Sequence, residues 1–294
     1  MPRTVVCYGE VLWDSFPDSR VAGGAPMNVA IRLQSLGVAA RVVSRVGRDA
    51  AGLALRDFIQ ARGVDTGLIQ DDGALPTGEV LVSLDRDGNA SFDIVWPVAW
   101  DRIDLVEQAT QAVASADAFV YGSLACRDEV SRGTLLALLR HARYRVFDVN
   151  LRPPHSRPDV VEALMREADL IKLNHDELDA IAAAAGGPSG AIAERMRWLA
   201  GHTGAGGVCV TRGGDGAMLF LRGKVHACAG FQVEVADTVG AGDSFLAALL
   251  AGLLDAQDPD LALAFACRVG AAVAARRGAN PRVSAAELAR LRPR

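Results

Sequence analysis

Six short apolar runs punctuate the chain: Thr4 to Tyr8, Val42 to Val46, Ala118 to Tyr121, Val146 to Val149, Leu170 to Leu173 and Gly207 to Thr211. None shows the strict polar–apolar alternation of a strand with one wet face, so each reads as a strand covered on both sides. Between them lie segments with helical spacing, among them Asn28 to Leu36, Leu53 to Ala61, Leu105 to Ala114 and Thr134 to Ala142. A helix between successive buried strands is the connection a parallel sheet requires. The pattern predicts an α/β fold with a mostly parallel central sheet and helices on both faces. A length of 294 residues with 50% hydrophobic content is enough for the core of one such unit spanning 1–294.

One region breaks the rhythm. Thr77 to Leu84 and Ala90 to Val95 flank Asp85-Arg86-Asp87-Gly88-Asn89, and Asp-Gly between two strand-like runs is a hairpin signal. A lone hairpin is unstable in water, so it must pack on something, and Val11 to Phe16 is the strand-like segment available to join it.

The chemistry concentrates in Asp237-Thr238-Val239-Gly240-Ala241-Gly242-Asp243-Ser244-Phe245. Phe245 to Leu254 is rich in Ala and Leu, lacks Pro and reads as a buried helix, which puts the glycines at its N-terminus. Gly240 and Gly242 let the backbone approach a ligand, and the free N–H groups of a first turn favour an anion. Asp243 in the same turn would repel that anion unless it had a task of its own. A carboxylate beside a bound γ-phosphate can take the proton of an attacking hydroxyl while the N–H groups around Gly240, Ala241 and Gly242 stabilise the transferring group. From these residues alone, a plain N-cap at Asp237 or Asp243 above a glycine turn stands beside that reading.

The nine residues resemble the signature of the ribokinase-like (PfkB) carbohydrate kinases, which transfer the γ-phosphate of ATP to a sugar or nucleoside hydroxyl. Gly23-Gly24-Ala25-Pro26-Met27-Asn28-Val29-Ala30 resembles the family's sugar-binding Gly-Gly segment in its fructokinase-like form. Asp148-Val149-Asn150-Leu151-Arg152-Pro153 resembles the Asp-x-Asn-x-Arg-Pro of the same subgroup, and Asn174-His175-Asp176-Glu177 the family's Asn-x-x-Glu. Val210 to Ala217 resembles its nucleotide-side strand and turn, so the likeness runs the length of the chain in the family's order.

The resemblance implies a three-layer α/β/α domain with a small β lid, built here from about 11–22 and 76–97, closing over the sugar. A lid would also account for the crowding of Trp13, Phe16, Phe92, Trp96 and Trp100. It implies ATP and Mg²⁺ as cofactors, with K⁺ as a further one. Asp14, Gly23, Gly24, Asn28 and Arg152 would hold the sugar, with Asp243 as catalytic base. Arg152 on its own would serve equally as a surface ion-pair partner. Asn174, Thr211, Gly213, Gly216 and Asn280 would border the nucleotide together with Gly240 and Gly242, and Gly278 and Ala279 would lie by the adenine. Glu177 would organise Mg²⁺ through water, Lys172 would add positive charge nearby, and Asp237 would sit by a monovalent cation. The expected reaction is fructose to fructose 6-phosphate. The alternatives are a 2-keto-3-deoxygluconate or ribose/nucleoside kinase, or a silent binding protein on the same fold.

Other classes find no support. A formal charge of −4 argues against a nucleic-acid partner, which needs a clustered basic surface. The basic stretch Arg276 to Arg294 reads instead as a solvated amphipathic helix. The longest apolar run, Phe245 to Leu254, is too short for a bilayer, and Met1 to Val6 shows no leader pattern, so the expected location is cytoplasmic. Five dispersed cysteines (Cys7, Cys126, Cys209, Cys228 and Cys267) have no metal-ligand spacing and read as reduced core residues. Gly223-Lys224-Val225 is no Walker A loop, Ser244 lacks a Gly-x-Ser-x-Gly context, and the Asp-rich loop at 85–89 does not complete an EF-hand. The edge of the lid offers a surface for a second copy, so a homodimer is the expected assembly.

Overall fold

A computed structural model describes residues 3–84 and 90–294. The strands among the described residues are β1 (Thr4–Tyr8), β2 (Leu12–Phe16), β3 (Ser19–Gly23), β4 (Ala39–Gly47), β5 (Ile69–Asp72), β6 (Gly78–Leu84), β7 (Ala90–Ile94), β8 (Ala118–Gly122), β9 (Arg145–Asp148), β10 (Leu170–Asn174), β11 (Gly207–Thr211), β12 (Ala217–Leu221) and β13 (Lys224–Cys228). The helices are α1 (Ala25–Ser35), α2 (Ala50–Gln60), α3 (Glu107–Ser115), α4 (Glu129–Leu139), α5 (Pro158–Arg166), α6 (His175–Ala184), α7 (Ile192–Thr203), α8 (Ala241–Leu254), α9 (Pro259–Ala274) and α10 (Ala285–Arg290).

Nine strands form one sheet in the order β13-β12-β11-β10-β9-β8-β1-β4-β5. All its pairings from β5 to β11 are parallel, and only the β11–β12 and β12–β13 pairings are antiparallel. Successive side chains of β1 go to opposite faces: Val5 and Cys7 join one core with α1, α2, α8 and α9, while Val6 and Tyr8 join another with α3, α4, α5, α6 and α7. That double burial is why the strand runs were continuously apolar. The chain steps from β1 towards β4 and β5 on one side and later towards β8 to β11 on the other, so strand order reverses beside β1. Ligands of open α/β sheets gather at the carboxyl ends of strands at such a reversal.

The second sheet has the order β3-β2-β6-β7. Strands β6 and β7 are antiparallel, with Val82 opposite Phe92, as the hairpin signal predicts. The 85–89 connection, with its Asp-Gly turn, lies outside the described residues. Strand β2 pairs in parallel with β6, placing Asp14 opposite Val80, and Val80 in turn opposite Ile94. Cross-strand partners share a face, so Asp14 lies in the row that buries Leu12, Val80 and Val82.

Two expectations are corrected. The five lid aromatics do not form one cluster: Trp100 is fully buried in the main core under the Arg127 guanidinium, and Trp13 packs on Phe58 of α2 and donates to the Ala51 carbonyl. Phe92 and Trp96 face solvent, at 63% and 61% exposure. Helix α10 covers only Ala285–Arg290, so Arg276 to Arg294 is not one amphipathic helix. Its segment 278–281 instead runs as a loop against α1 and the start of α8.

Candidate active site

Helix α8 begins where the glycine turn predicts. Gly240 is its N-cap with φ +73°, and a Cβ there would lie 2.6 Å from the Cα and carbonyl oxygen of Ala279. Glycine is thus required twice, for the left-handed backbone and for the close approach to the 278–280 loop. Asp243 falls in the first helical turn and caps nothing, which removes the N-cap alternative. The Ala241 N–H is spent on the Thr238 carbonyl at 3.2 Å. Among the described residues, the N–H groups of Gly242 and Asp243 have no protein acceptor. Of the Gly240 to Gly242 set, Ala241 is thus occupied, and the Asp243 N–H joins the donors open to an anion.

Asp243 is partly buried and accepts a hydrogen bond from Asn28 Nδ2 at 2.8 Å, and Asn280 Nδ2 donates to Asn28 Oδ1 at 2.6 Å. Residues from the first helix, the eighth helix and the C-terminal loop thus meet in one chain of hydrogen bonds. Burial, reinforced by the neighbouring Asp148 carboxylate, pushes the Asp243 carboxyl up to about 6, while Lys172, Asn28 and Arg152 pull the other way. A carboxylate titrating near neutrality is suited to taking a proton.

Beneath the turn is a buried ion pair. Lys172 Nζ, at the centre of β10, donates to both oxygens of Asp148 at the end of β9, at 2.9 and 3.2 Å. A Cβ on Gly242 would lie 3.2 Å from the same ammonium. Burial works against charge on Lys172, yet Asp148, Asp243 and Glu177 together raise its affinity for the proton. Of the three carboxyl groups, Asp148 alone is hydrogen-bonded to the ammonium, and Asp243 and Glu177 act on it through their charge.

Glu177 forms a capping box with Asn174 at the start of α6. Its Oε2 accepts from the Asn174 N–H at 2.8 Å while Asn174 Oδ1 accepts from the Glu177 N–H at 2.8 Å. Its Oε1 accepts from the Leu151 N–H at 2.7 Å, fastening the loop after β9, where Asn150 takes φ +41°. Burial raises the Glu177 pKa above its ordinary value. Asn174 therefore points at its own helix terminus.

On the sugar side, Asp14 is raised to about 6 by burial, with Arg152 opposing. A Cβ on Gly23 would come within 2.5 Å of Asp14 Oδ2, so glycine clears room for that carboxylate. A Cβ on Gly24 would strike the Glu10 carbonyl at 2.4 Å. Glu10 itself was not singled out from the sequence. It is 3% exposed, accepts from the Ala25 N–H at 3.3 Å, and is driven by burial to about 7 against the pull of Arg152. Arg152 is exposed at the rim, donates from Nη1 to the Leu151 carbonyl at 2.9 Å, and its positive charge opposes the upward shifts of Glu10, Asp14 and Asp243.

A cavity of about 220 Å³ opens on the far side of the turn, with Thr211, Gly213, Gly216, Thr238 and Gly242 on its walls and Phe231 and Val235 as apolar cover. Asn280 is engaged with Asn28 instead. Asp237 accepts from the Val239 N–H at 3.0 Å and the Gly278 N–H at 2.9 Å, tying the glycine turn to the C-terminal loop. A larger cavity, about 990 Å³, lies at the opposite end of the sheet between Arg3, Thr4, Arg41 and Asp117. Arg3 pairs there with Asp117 and Arg41 with Asp65, and it holds none of the residues above.

The family profile described as pfkB family carbohydrate kinase matches residues 5–286. A fructokinase from Klebsiella pneumoniae is 32% identical over 88% of this chain and 90% of its own. The structure of a fructokinase with bound ATP from Xylella fastidiosa superposes with a TM-score of 0.82 at 26% identity, covering 95% of this chain and 94% of that one. A double mutant of fructokinase from Vibrio cholerae, in a form with fructose, ADP and potassium ion bound, gives 0.80 at 26% identity, covering 95% and 94%. With this likeness over nearly its whole length, the chain belongs to the pfkB family of carbohydrate kinases and is an ATP-dependent sugar kinase.

Proposed function

We propose that this sugar kinase phosphorylates the 6-hydroxyl of fructose, with Asp243 as the base. The observation that carries the reading is the position of Asp243. It lies in the first turn of α8, beside the free N–H groups of Gly242 and its own, fixed by Asn28 and titrating near 6. The acceptor hydroxyl gives its proton to Asp243 as its oxygen bonds to the γ-phosphorus and the bond to the leaving ADP oxygen breaks. The N–H groups of Gly242 and Asp243 hold the charge on the transferring group. Asp14 and Asn28 accept and donate to sugar hydroxyls, Gly23 and Gly24 give the backbone room, and Arg152 steers substrate oxygens from the rim. The small sheet carrying Asp14 excludes water, which would otherwise compete as acceptor.

The cavity beside Thr211, Gly213 and Gly216 suits the nucleotide, since its apolar cover and glycine-lined floor admit a flat base and ribose. Among the described residues no three acidic, His or Cys side chains converge as a metal cage, so a divalent cation would be held chiefly by the nucleotide phosphates. Both Glu177 oxygens already accept backbone N–H groups, so it would act through water, and Mg²⁺ there would neutralise phosphate charge. Asp237 brackets two loops whose carbonyls would serve a monovalent cation such as K⁺.

A neutral sugar is favoured over a sugar acid because Arg152, the cation that opposes the upward shifts of Glu10, Asp14 and Asp243, is already drawn on by three carboxyl groups, leaving little positive charge for a substrate carboxylate. The test is ADP release with fructose, 2-keto-3-deoxygluconate, ribose and adenosine. Fructose should give the highest kcat/KM, and Asp243→Asn should lose about 10²-fold or more in kcat. Equal turnover by the two proteins would remove Asp243 as base, and a different best acceptor would remove fructose.

A further inference from the structure

Arg32 is a charged side chain buried for a reason the sugar and nucleotide contacts do not supply. It is 5% exposed in α1, and among the described residues it has no carboxylate partner. Its Nε donates to Ser244 Oγ at 3.1 Å and its Nη2 to the Pro281 carbonyl at 2.9 Å. Burying a guanidinium without a counter-charge is costly, and the nearby Arg276 adds to that cost.

The position of Arg32 explains the arrangement. It lies one helical turn after Asn28, on the same face of α1. Asn28 joins Asp243 to Asn280, and Arg32 joins the next residue of each segment, Ser244 to Pro281. Two consecutive rungs from one helix thus link the same two strips of chain, the catalytic turn and the C-terminal loop. A single rung leaves the two strips free to pivot, whereas two rungs fix their register. Gly240 lies in direct contact with Ala279 of that loop, so slippage between the strips would shift the first turn of α8 and its free N–H groups.

We infer that Arg32 is a positioning residue for phosphoryl transfer, locking the catalytic turn to the 278–281 loop through Ser244 and Pro281. The inference rests on Asp243 being the base. Misplacing a catalytic group by about 1 Å can cost on the order of 10²-fold in rate, and one surviving rung should limit the loss here to about tenfold.

The experiment compares the unmodified chain with Arg32→Met, Arg32→Lys and Asp243→Asn, measuring kcat, both KM values and the melting temperature of each. Arg32→Met should lower kcat about tenfold with KM for the sugar within about twofold of the original. Lysine reaches one acceptor at a time, so Arg32→Lys should fall between. A lower melting temperature with unchanged kcat in the folded protein would mean that Arg32 is structural only and would overturn the inference. So would a raised sugar KM at unchanged kcat. If Arg32→Met does not fold, Arg32→Lys decides: kcat equal to the original overturns the inference, and a several-fold loss within a few degrees of the original melting temperature supports it. Full activity of Asp243→Asn would instead overturn the base assignment beneath it.

Discussion

Replacing Lys172 by Met keeps a similar stem and removes only the ammonium. Lys172 and Asp148 side chains are 9% and 4% exposed, and the ammonium holds both Asp148 oxygens, so the substitution strands a buried carboxylate. Removing one partner of such a pair costs about 3–5 kcal/mol. At about 2.1 cal/mol/K per residue, unfolding 294 residues carries an entropy near 0.6 kcal/mol/K, so the melting temperature should fall by about 5–8 °C. A second effect tests function separately. Lys172 lowers the pKa of Asp243, which stands at about 6, so its loss must raise that pKa further. A base works when deprotonated, and the acid limb of kcat/KM, expected near pH 6, should move to higher pH. The assays are a calorimetric scan and a pH profile of coupled ADP release. Lys172→Met with Asp148→Asn should recover much of the lost melting temperature, because the uncompensated charge is then gone. An unshifted acid limb in Lys172→Met would refute the electrostatic link between the buried pair and the base. An unchanged melting temperature would refute the burial argument.

Gly240→Ala places a Cβ against Ala279 at 2.6 Å on a backbone with φ +73°, so it should cost about 1–3 kcal/mol in stability. It should also lower kcat by about tenfold or more, and wild-type kinetics would show that the turn tolerates displacement. Asp49 caps α2 and is held below the usual carboxylate range although burial opposes it, since Thr77 Oγ1 and N–H and the Gly52 N–H donate to it at 2.6, 2.9 and 2.7 Å. A depressed folded pKa gives stability that is present above the unfolded value, about 3.9, and is lost as pH falls through the folded one. Asp49→Asn should therefore lower stability in urea denaturation at pH 7 and lower it less at a pH below about 3.9. An equal gap at both pH values would show that charge is not what the cap supplies.

The large sheet was legible because its strands are buried on both faces and carry an uninterrupted apolar signature. The turn at 240–243 was legible because glycine and a helix N-terminus restrict what can follow. Strand β2 was legible as the partner the hairpin needed, and it pairs with β6, whereas β3 read poorly from its residues, since Ser-Arg-Val-Ala-Gly mixes exposed and buried positions without a clean period. Helix α4 starts at Glu129, five residues before the apolar spacing begins at Thr134, because its first turn is polar and is set by the Asp128 cap. Glu10 and Arg32 gave no signal. A lone charged residue within an apolar stretch has no spacing to mark it, and its partners appear only when the chain folds back. Asp148 and Lys172 are 24 residues apart and Asn28 and Asp243 are 215 apart, distances over which sequence periodicity carries no information.

The contact between α1 and α8 also sets a timetable. Asp243 follows Asn28 by 215 residues and Asn280 follows it by 252, so a growing polypeptide holds its first helix long before the partner helix exists. At roughly 5–20 residues per second, the wait between the two is on the order of 10–40 s. Through that interval α1, which packs against α8 as well as β1 and β4 in the finished protein, has no α8 to cover it. Until α8 is made, that face of α1 has only the sheet to pack on. The delay also makes enzymatic activity the last property to emerge during synthesis, so the onset of ADP release on the ribosome would time the closing of the whole fold.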